Sequence, residues 1–269
     1  MIDTSLWFMF PVGIVIATIA MTAGIGGAVM FVPFFMLVLK VDTLIALATG
    51  LVIEVFGFSS GVIGYWRKRV VRFGIVKQLV VLTVPAAVAG VMLGRVVPVS
   101  FLRVLLALLL LYLAYQFLLR GKECIPKDPR CTGVNVTANE IALPRTVKGA
   151  TFLGGMLLGM ISAGLGEVNE YNFLRKMRLP VPTASGTSVF LIAMSAIVGV
   201  FFHVLFLFRE GEIAVFSDIA SLVVFTVPGV IVGAQIGVAL SKAVNARVMG
   251  RLVGVLFLLL GALTSAIAL

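Results

Sequence analysis

The sequence predicts an all-α polytopic membrane protein of two inverted repeats, each a re-entrant or broken glycine-rich helical hairpin plus three transmembrane helices. Three observations predict it. Apolar residues run in continuous windows of about 20, the length that crosses a hydrocarbon core of about 30 Å. Two windows are broken by glycine, at Gly24-Ile25-Gly26-Gly27 and at Gly164-Leu165-Gly166-Glu167. A V-P-x4-G-x3-G signature occurs twice, from Val84-Pro85 to Gly90 and Gly94 and from Val227-Pro228 to Gly233 and Gly237.

Composition excludes the other classes. With 61% hydrophobic and only 12% charged residues, a soluble domain of 269 residues would lack polar surface. The apolar runs are continuous rather than alternating, which excludes a β-barrel. Met1-Ile2-Asp3-Thr4 lacks the basic n-region of a signal peptide, so the first window is expected to stay in the fold. The net charge of +10 resides in short loops between windows. It predicts membrane topology rather than nucleic-acid binding.

In chain order, the first repeat, 1–119, holds a hairpin at 6–39 and spans at 43–65, 74–97 and 101–119. A linker at 120–147 follows. The second repeat, 148–269, holds a hairpin at 148–174 and spans at 182–208, 213–240 and 246–269. The first window would be about 50 Å long as one helix, far more than a single crossing needs.

Basic residues choose between one crossing and a hairpin. If every window crosses once, nine of the 21 Lys and Arg lie outside: Lys40, Arg95, Arg103, Arg175, Lys176, Arg178, Lys242, Arg247 and Arg251. If the first and fifth windows fold back, only Lys40, Arg95, Arg103 and Arg209 do. The positive-inside rule selects the hairpins. Each half then makes an odd number of crossings, so the halves are inverted. Both termini lie outside the cytoplasmic membrane and the linker lies inside. Irregular backbone at membrane depth survives only when buried in protein or lining a wet cavity, so the two tips should meet around a solvated site.

The linker carries Cys124 and Cys131. A cytoplasmic setting disfavours a disulfide, and a lone C-x6-C is weak as a metal motif, so no metal or cofactor is expected.

Gly24-Ile25-Gly26-Gly27 with Pro33 behind it, Gly164-Leu165-Gly166, and Ala184-Ser185-Gly186-Thr187-Ser188 resemble the sulfite exporter TauE/SafE family of membrane transporters. The likeness covers about Leu6 to Leu269. It implies transport of sulfite, a sulfonate such as sulfoacetate, or a related sulfur or organic anion, coupled to an ion gradient. The second glycine run departs from the family's usual G-x-G-G-G, continuing instead as Glu167-Val168-Asn169-Glu170-Tyr171-Asn172.

Several residues are candidates for the chemistry. A helix restarting after each tip offers N–H donors and a positive dipole end to an anion, which selects Gly24, Gly26, Gly27, Gly164 and Gly166. Close helix packing is the alternative use of those glycines. Thr49, Ser185, Thr187 and Ser188, and with less weight Ser59 and Ser195, offer hydroxyls to a substrate or to helix carbonyls.

Intramembrane carboxylates are costly and point to function, which selects Glu54, Glu167 and Glu170 for coupling, with Asn169. Glu54 has Phe190 as its repeat counterpart. A proton is the coupling ion expected. Capping of the tip, or a coupling cation held with Asn169 or Asn172, are the alternatives. His203, Gln235, Arg95 and Arg103 are expected in structural or interfacial roles.

The expected function is secondary active transport of a small anion across the cytoplasmic membrane. A passive anion channel, a carboxylate transporter and a cation-coupled transporter are the alternatives. An enzyme would need a nucleophile–base pair or a metal cluster, and the spans offer one histidine and no Cys/His grouping, so none is expected. The lipid bilayer is a partner, and a homodimer is a candidate assembly.

Overall fold

A computed structural model describes residues 4–23, 25–119, 143–177, 179–210, 213–241 and 246–268. Gly24, Cys124 and Cys131 lie outside these residues. Every regular element described is helical. After a 3-10 turn at Thr4–Phe8 come α1 (Met9–Ala23), α2 (Ala28–Leu37), α3 (Thr43–Arg67), α4 (Phe73–Val96) and α5 (Val99–Leu119). Beyond the linker come α6 (Arg145–Ile161), α7 (Leu165–Tyr171), a π-helical turn at Asn172–Lys176, α8 (Val181–Glu210), α9 (Ile213–Leu240) and α10 (Ala246–Ala268). Six described stretches are long and apolar enough to cross a membrane: Ser5–Ala23, which is the first arm of the expected hairpin, Thr43–Arg67, Phe73–Val96, Val99–Leu118, Pro182–Phe206 and Ser217–Leu240. The expected last span holds only a shorter apolar stretch, Arg251–Ala266.

Local chemistry sets the boundaries. Asp42 caps α3, its carboxylate accepting from the Leu44 N–H at 2.9 Å. Pro98 and Pro144 precede α5 and α6, where a missing N–H costs nothing. α6 ends at Ser162, which takes the left-handed conformation at φ 56°. Gly164 follows at φ 108°, a conformation open mainly to glycine.

Neighbouring helices reveal chain directions. Thr18 and Thr22 of α1 donate to the carbonyls of Gly233 and Gly237 of α9 at 3.2 and 3.3 Å, so the two helices run parallel. α3 runs the same way, with Ser60 bonded to the Ile231 carbonyl and Lys68 to that of Val238. α2 runs against α3, since Ala28 lies by Glu54 and Val32 by Gly50. The first broken window therefore turns back on itself. In the second half, α6 runs parallel to α4, with Gly155 beside Thr83 and Gly159 beside Ala87. α3 and α8 are antiparallel, Leu51 facing Gly199 and Tyr65 facing Gly186.

Glycine makes the two tightest crossings possible. A Cβ on Gly13 would stand 2.8 Å from the Thr226 carbonyl oxygen, and one on Gly155 would stand 2.9 Å from that of Thr83. On the facing helices, a Cβ on Gly233 would fall on the Ile14 carbonyl and one on Gly90 on that of Met156. Thus each V-P-x4-G-x3-G helix packs its backbone against the first helix of the other half, as small residues permit in membranes. α5 and α10 pair separately, with Phe117 edge-on to Phe257 at 5.9 Å.

Candidate functional site

The two interrupted windows bring their breaks into contact. A Cβ on Gly166 would stand 3.1 Å from the Gly26 amide nitrogen. No side chain fits between the two backbones there. α2 begins at this contact, and its N-cap, Gly27, has no side chain to satisfy the first N–H groups.

A buried carboxylate satisfies the first of them, and a second one the N–H just ahead of the cap. Glu54, from the middle of α3, accepts from the Ala28 N–H through Oε1 at 3.1 Å. Glu167 reaches across from α7 and accepts from the Gly26 N–H through Oε1 at 2.9 Å. Its other oxygen, Oε2, accepts from the Gly164 N–H at 2.9 Å. One carboxylate thereby ties both breaks together. Glu54 and Glu167 are only 2% and 3% exposed. A Cβ on Gly26 would lie 2.9 Å from Glu167 Oε1 and 3.0 Å from Glu54 Oε1, so both groups crowd one stretch of backbone.

Glu54 also borders a half-open cavity of ≈ 20 Å³, together with Gly27, Phe31, Gly57 and residues of α1 and α9. That is room for about one water molecule. Glu54 Oε2 has no hydrogen-bond partner among the described residues. Burying a polar oxygen without a partner costs free energy, which marks the position as purposeful.

A second buried cluster lies further along α7. Glu170 accepts from the Ser185 hydroxyl at 3.0 Å. Asn169 Oδ1 accepts from Thr151 at 2.8 Å, while its Nδ2 has no hydrogen-bond partner among the described residues. Ser188 donates to the Gly166 carbonyl at 3.3 Å, holding the tip against α8.

The expected site residues thus divide. Gly26, Gly166, Gly164, Glu54 and Glu167 are brought together, and Gly27 adjoins them. Ser188 supports that centre; Ser185, Glu170 and Asn169 form the neighbouring cluster. Thr187 lies apart, accepting from the Arg72 N–H at 3.1 Å. Thr49 and Ser195 are buried, and their hydroxyls have no partner among the described residues. Gln235 bonds to the hydroxyl and carbonyl of Ser60 at 2.8 and 2.7 Å, inside the α3–α9 contact. Arg103 bonds to Thr43 at 2.7 Å, and Arg95 stacks over Phe206.

Thr151, Ser162 and Tyr65 also belong to this buried framework, and sequence reasoning missed them. Ser162 donates to the Leu47 carbonyl at 2.6 Å and Tyr65 to that of Met21 at 3.1 Å. No motif marks them. Only Ser162, two residues before the second glycine run, had a positional signal.

A polytopic helical membrane protein with broken helices meeting at a buried polar centre belongs to the class in which transporters build their sites. The family model for sulfite exporter TauE/SafE matches residues 9–264, and the chain belongs to that family of membrane transporters. No curated protein and no solved structure matches it.

Proposed function

We propose that this protein is a secondary transporter that carries a small oxyanion across the cytoplasmic membrane, coupled to protons. Sulfite and sulfonates such as sulfoacetate are the substrates the family membership favours. The observation that carries the reading is Glu167, whose carboxylate spans the N–H groups of both glycine breaks. N–H groups that donate to one oxyanion at a helix start can donate to another. The opposite directions of α3 and α8 support two inverted halves alternating around this centre. The positive-inside count supports termini outside and the 120–147 linker inside.

Proton coupling follows from the charges. Glu54, Glu167 and Glu170 sit within the protein where a permanent negative charge would repel an anion. A carboxyl that is neutral during anion occupancy removes the repulsion and carries a proton with each cycle.

Proteoliposomes offered sulfite, sulfate, thiosulfate, sulfoacetate and simple carboxylates at two pH values test the proposal. Saturable uptake of a sulfur oxyanion, driven uphill by a pH gradient, is expected. Ohmic single-channel currents, or uptake indifferent to the gradient, would overturn it.

A further inference from the structure

We propose that the carboxylates of Glu167 and Glu54 are tethered occupants of the anion site, resting on its N–H donors until a substrate oxyanion displaces them. The inference rests on the anion-transport reading and adds what holds the site when substrate is absent.

Three contacts carry it. The Gly26, Ala28 and Gly164 N–H groups, drawn from both breaks, each donate to an oxygen of these two side chains at 2.9–3.1 Å. A cap for α7 alone would need only the Glu167 Oε2 contact to Gly164. The Oε1 contact to Gly26 belongs to the other half of the chain, 141 residues away. Glu54 comes from a third element, α3, and caps a helix that is not its own. Donors for up to three oxygens at one point suit a compact oxyanion such as sulfite, a sulfonate or a carboxylate.

A second observation is independent of the helix start. Glu54 is buried, its Oε2 has no partner among the described residues, and it borders the ≈ 20 Å³ cavity beside Gly27 and Phe31. Space therefore lies open beside the Glu54 side chain, on the side of Gly27 and Phe31. The same space shrinks the repacking that exchange requires.

Displacement has a charge consequence. On their own elements the pair is accompanied by Glu170 and Tyr171 further along α7 and by Tyr65 and Arg67 near the end of α3. α1 and α2 contain no titratable side chain. α6 has only Arg145 and Lys148 at its far start, the π-helical turn after α7 has Arg175 and Lys176, α8 has His203, Arg209 and Glu210 late in its length, and α9 has Asp218. Among the described residues, a carboxylate that loses its N–H donors to an incoming anion thus has no cation bonded to it to replace them. It takes up a proton from solution, and anion binding and proton uptake become one event.

Calorimetry on the purified full chain, titrated with sulfoacetate or thiosulfate in two buffers of different ionisation enthalpy, counts protons taken up on binding. Uptake is expected with the unsubstituted protein. Glu167→Gln keeps the shape and an acceptor but cannot carry a negative charge. It should bind these anions roughly tenfold more tightly near neutral pH and take up fewer protons, as linkage requires when a competitor is weakened. Glu54→Gln should shift in the same direction, which guards against one variant failing to fold. Binding without proton uptake, or unchanged affinity and uptake in a folded variant, would overturn the tethered-occupant proposal and leave anion transport standing. No binding of either anion by any of the three folded proteins would overturn both.

Discussion

Gly26 and Gly166 press backbone to backbone, with the Gly26 amide nitrogen 3.1 Å from where a Cβ on Gly166 would be. That Cβ would also stand 2.9 Å from Ile192 Cδ1. Gly166→Ala should therefore force the tips apart, costing about 1–3 kcal/mol of stability. Transport should fall by more than the expression level does. Gly27 offers the contrast, because a Cβ there meets only the Phe31 ring at 3.8 Å and its φ is helical at −68°. Gly27→Ala should keep or raise thermal stability in detergent, by up to about 1 kcal/mol. Equal destabilisation of both variants would contradict the tip contact.

The α4–α6 crossing makes a second pair of opposite expectations. A Cβ on Gly159 would overlap the Ala87 carbonyl, whereas one on Gly149 would meet nothing within 4 Å. Gly159→Ala should lower stability by about 2 kcal/mol or more through forced helix separation. Gly149→Ala should be neutral or stabilising by about 0.5–1 kcal/mol, since alanine is the better helix former. Thermal unfolding of the two proteins side by side decides it.

Ser162 combines a left-handed backbone with a hydrogen bond to the Leu47 carbonyl. Ser162→Ala keeps the strain and abandons a buried acceptor, so it should destabilise by about 1–3 kcal/mol. Ser162→Gly relaxes a backbone cost of about 1–2 kcal/mol while losing the same bond, and should come out close to the parent. If glycine proves as harmful as alanine, backbone strain is not part of the turn.

Replacing Glu54, Glu167 and Glu170 singly by glutamine tests coupling in transport itself. At least one replacement should flatten the dependence of uptake on pH while leaving downhill exchange measurable. Three unchanged profiles would end proton coupling through these groups.

Cysteine labelling addresses topology. Residues 40–42 should react from the same side of the membrane as the amino end, and residues 175–180 from the same side as the central linker. Labelling from opposite sides would remove the hairpins and with them the proposed geometry.

Much of the fold was legible because a bilayer imposes simple rules. Window length follows from the cost of unpaired backbone in hydrocarbon, and the repeated V-P-x4-G-x3-G from close helix packing. The buried acids were also legible, since Glu54, Glu167 and Glu170 stand out in apolar surroundings. Their partners were not. Glu167 and Gly26 are 141 residues apart, and nothing local to either one names the other. Thr151 with Asn169 and Ser162 with Leu47 were hidden for the same reason, as hydroxyls in membrane helices usually bond within their own helix.

By itself, the chain determined a helical membrane protein with two glycine breaks, a repeated V-P-x4-G-x3-G and three acids in apolar stretches, because hydropathy, length and motif are properties of residues in order. Only the tertiary structure decided that the helix-start N–H groups are already filled by Glu54 and Glu167, and that each V-P helix packs against the opposite half. Those pairings depend on which backbones approach within a few ångströms. That approach is set jointly by glycines on different helices, so no single segment encodes it.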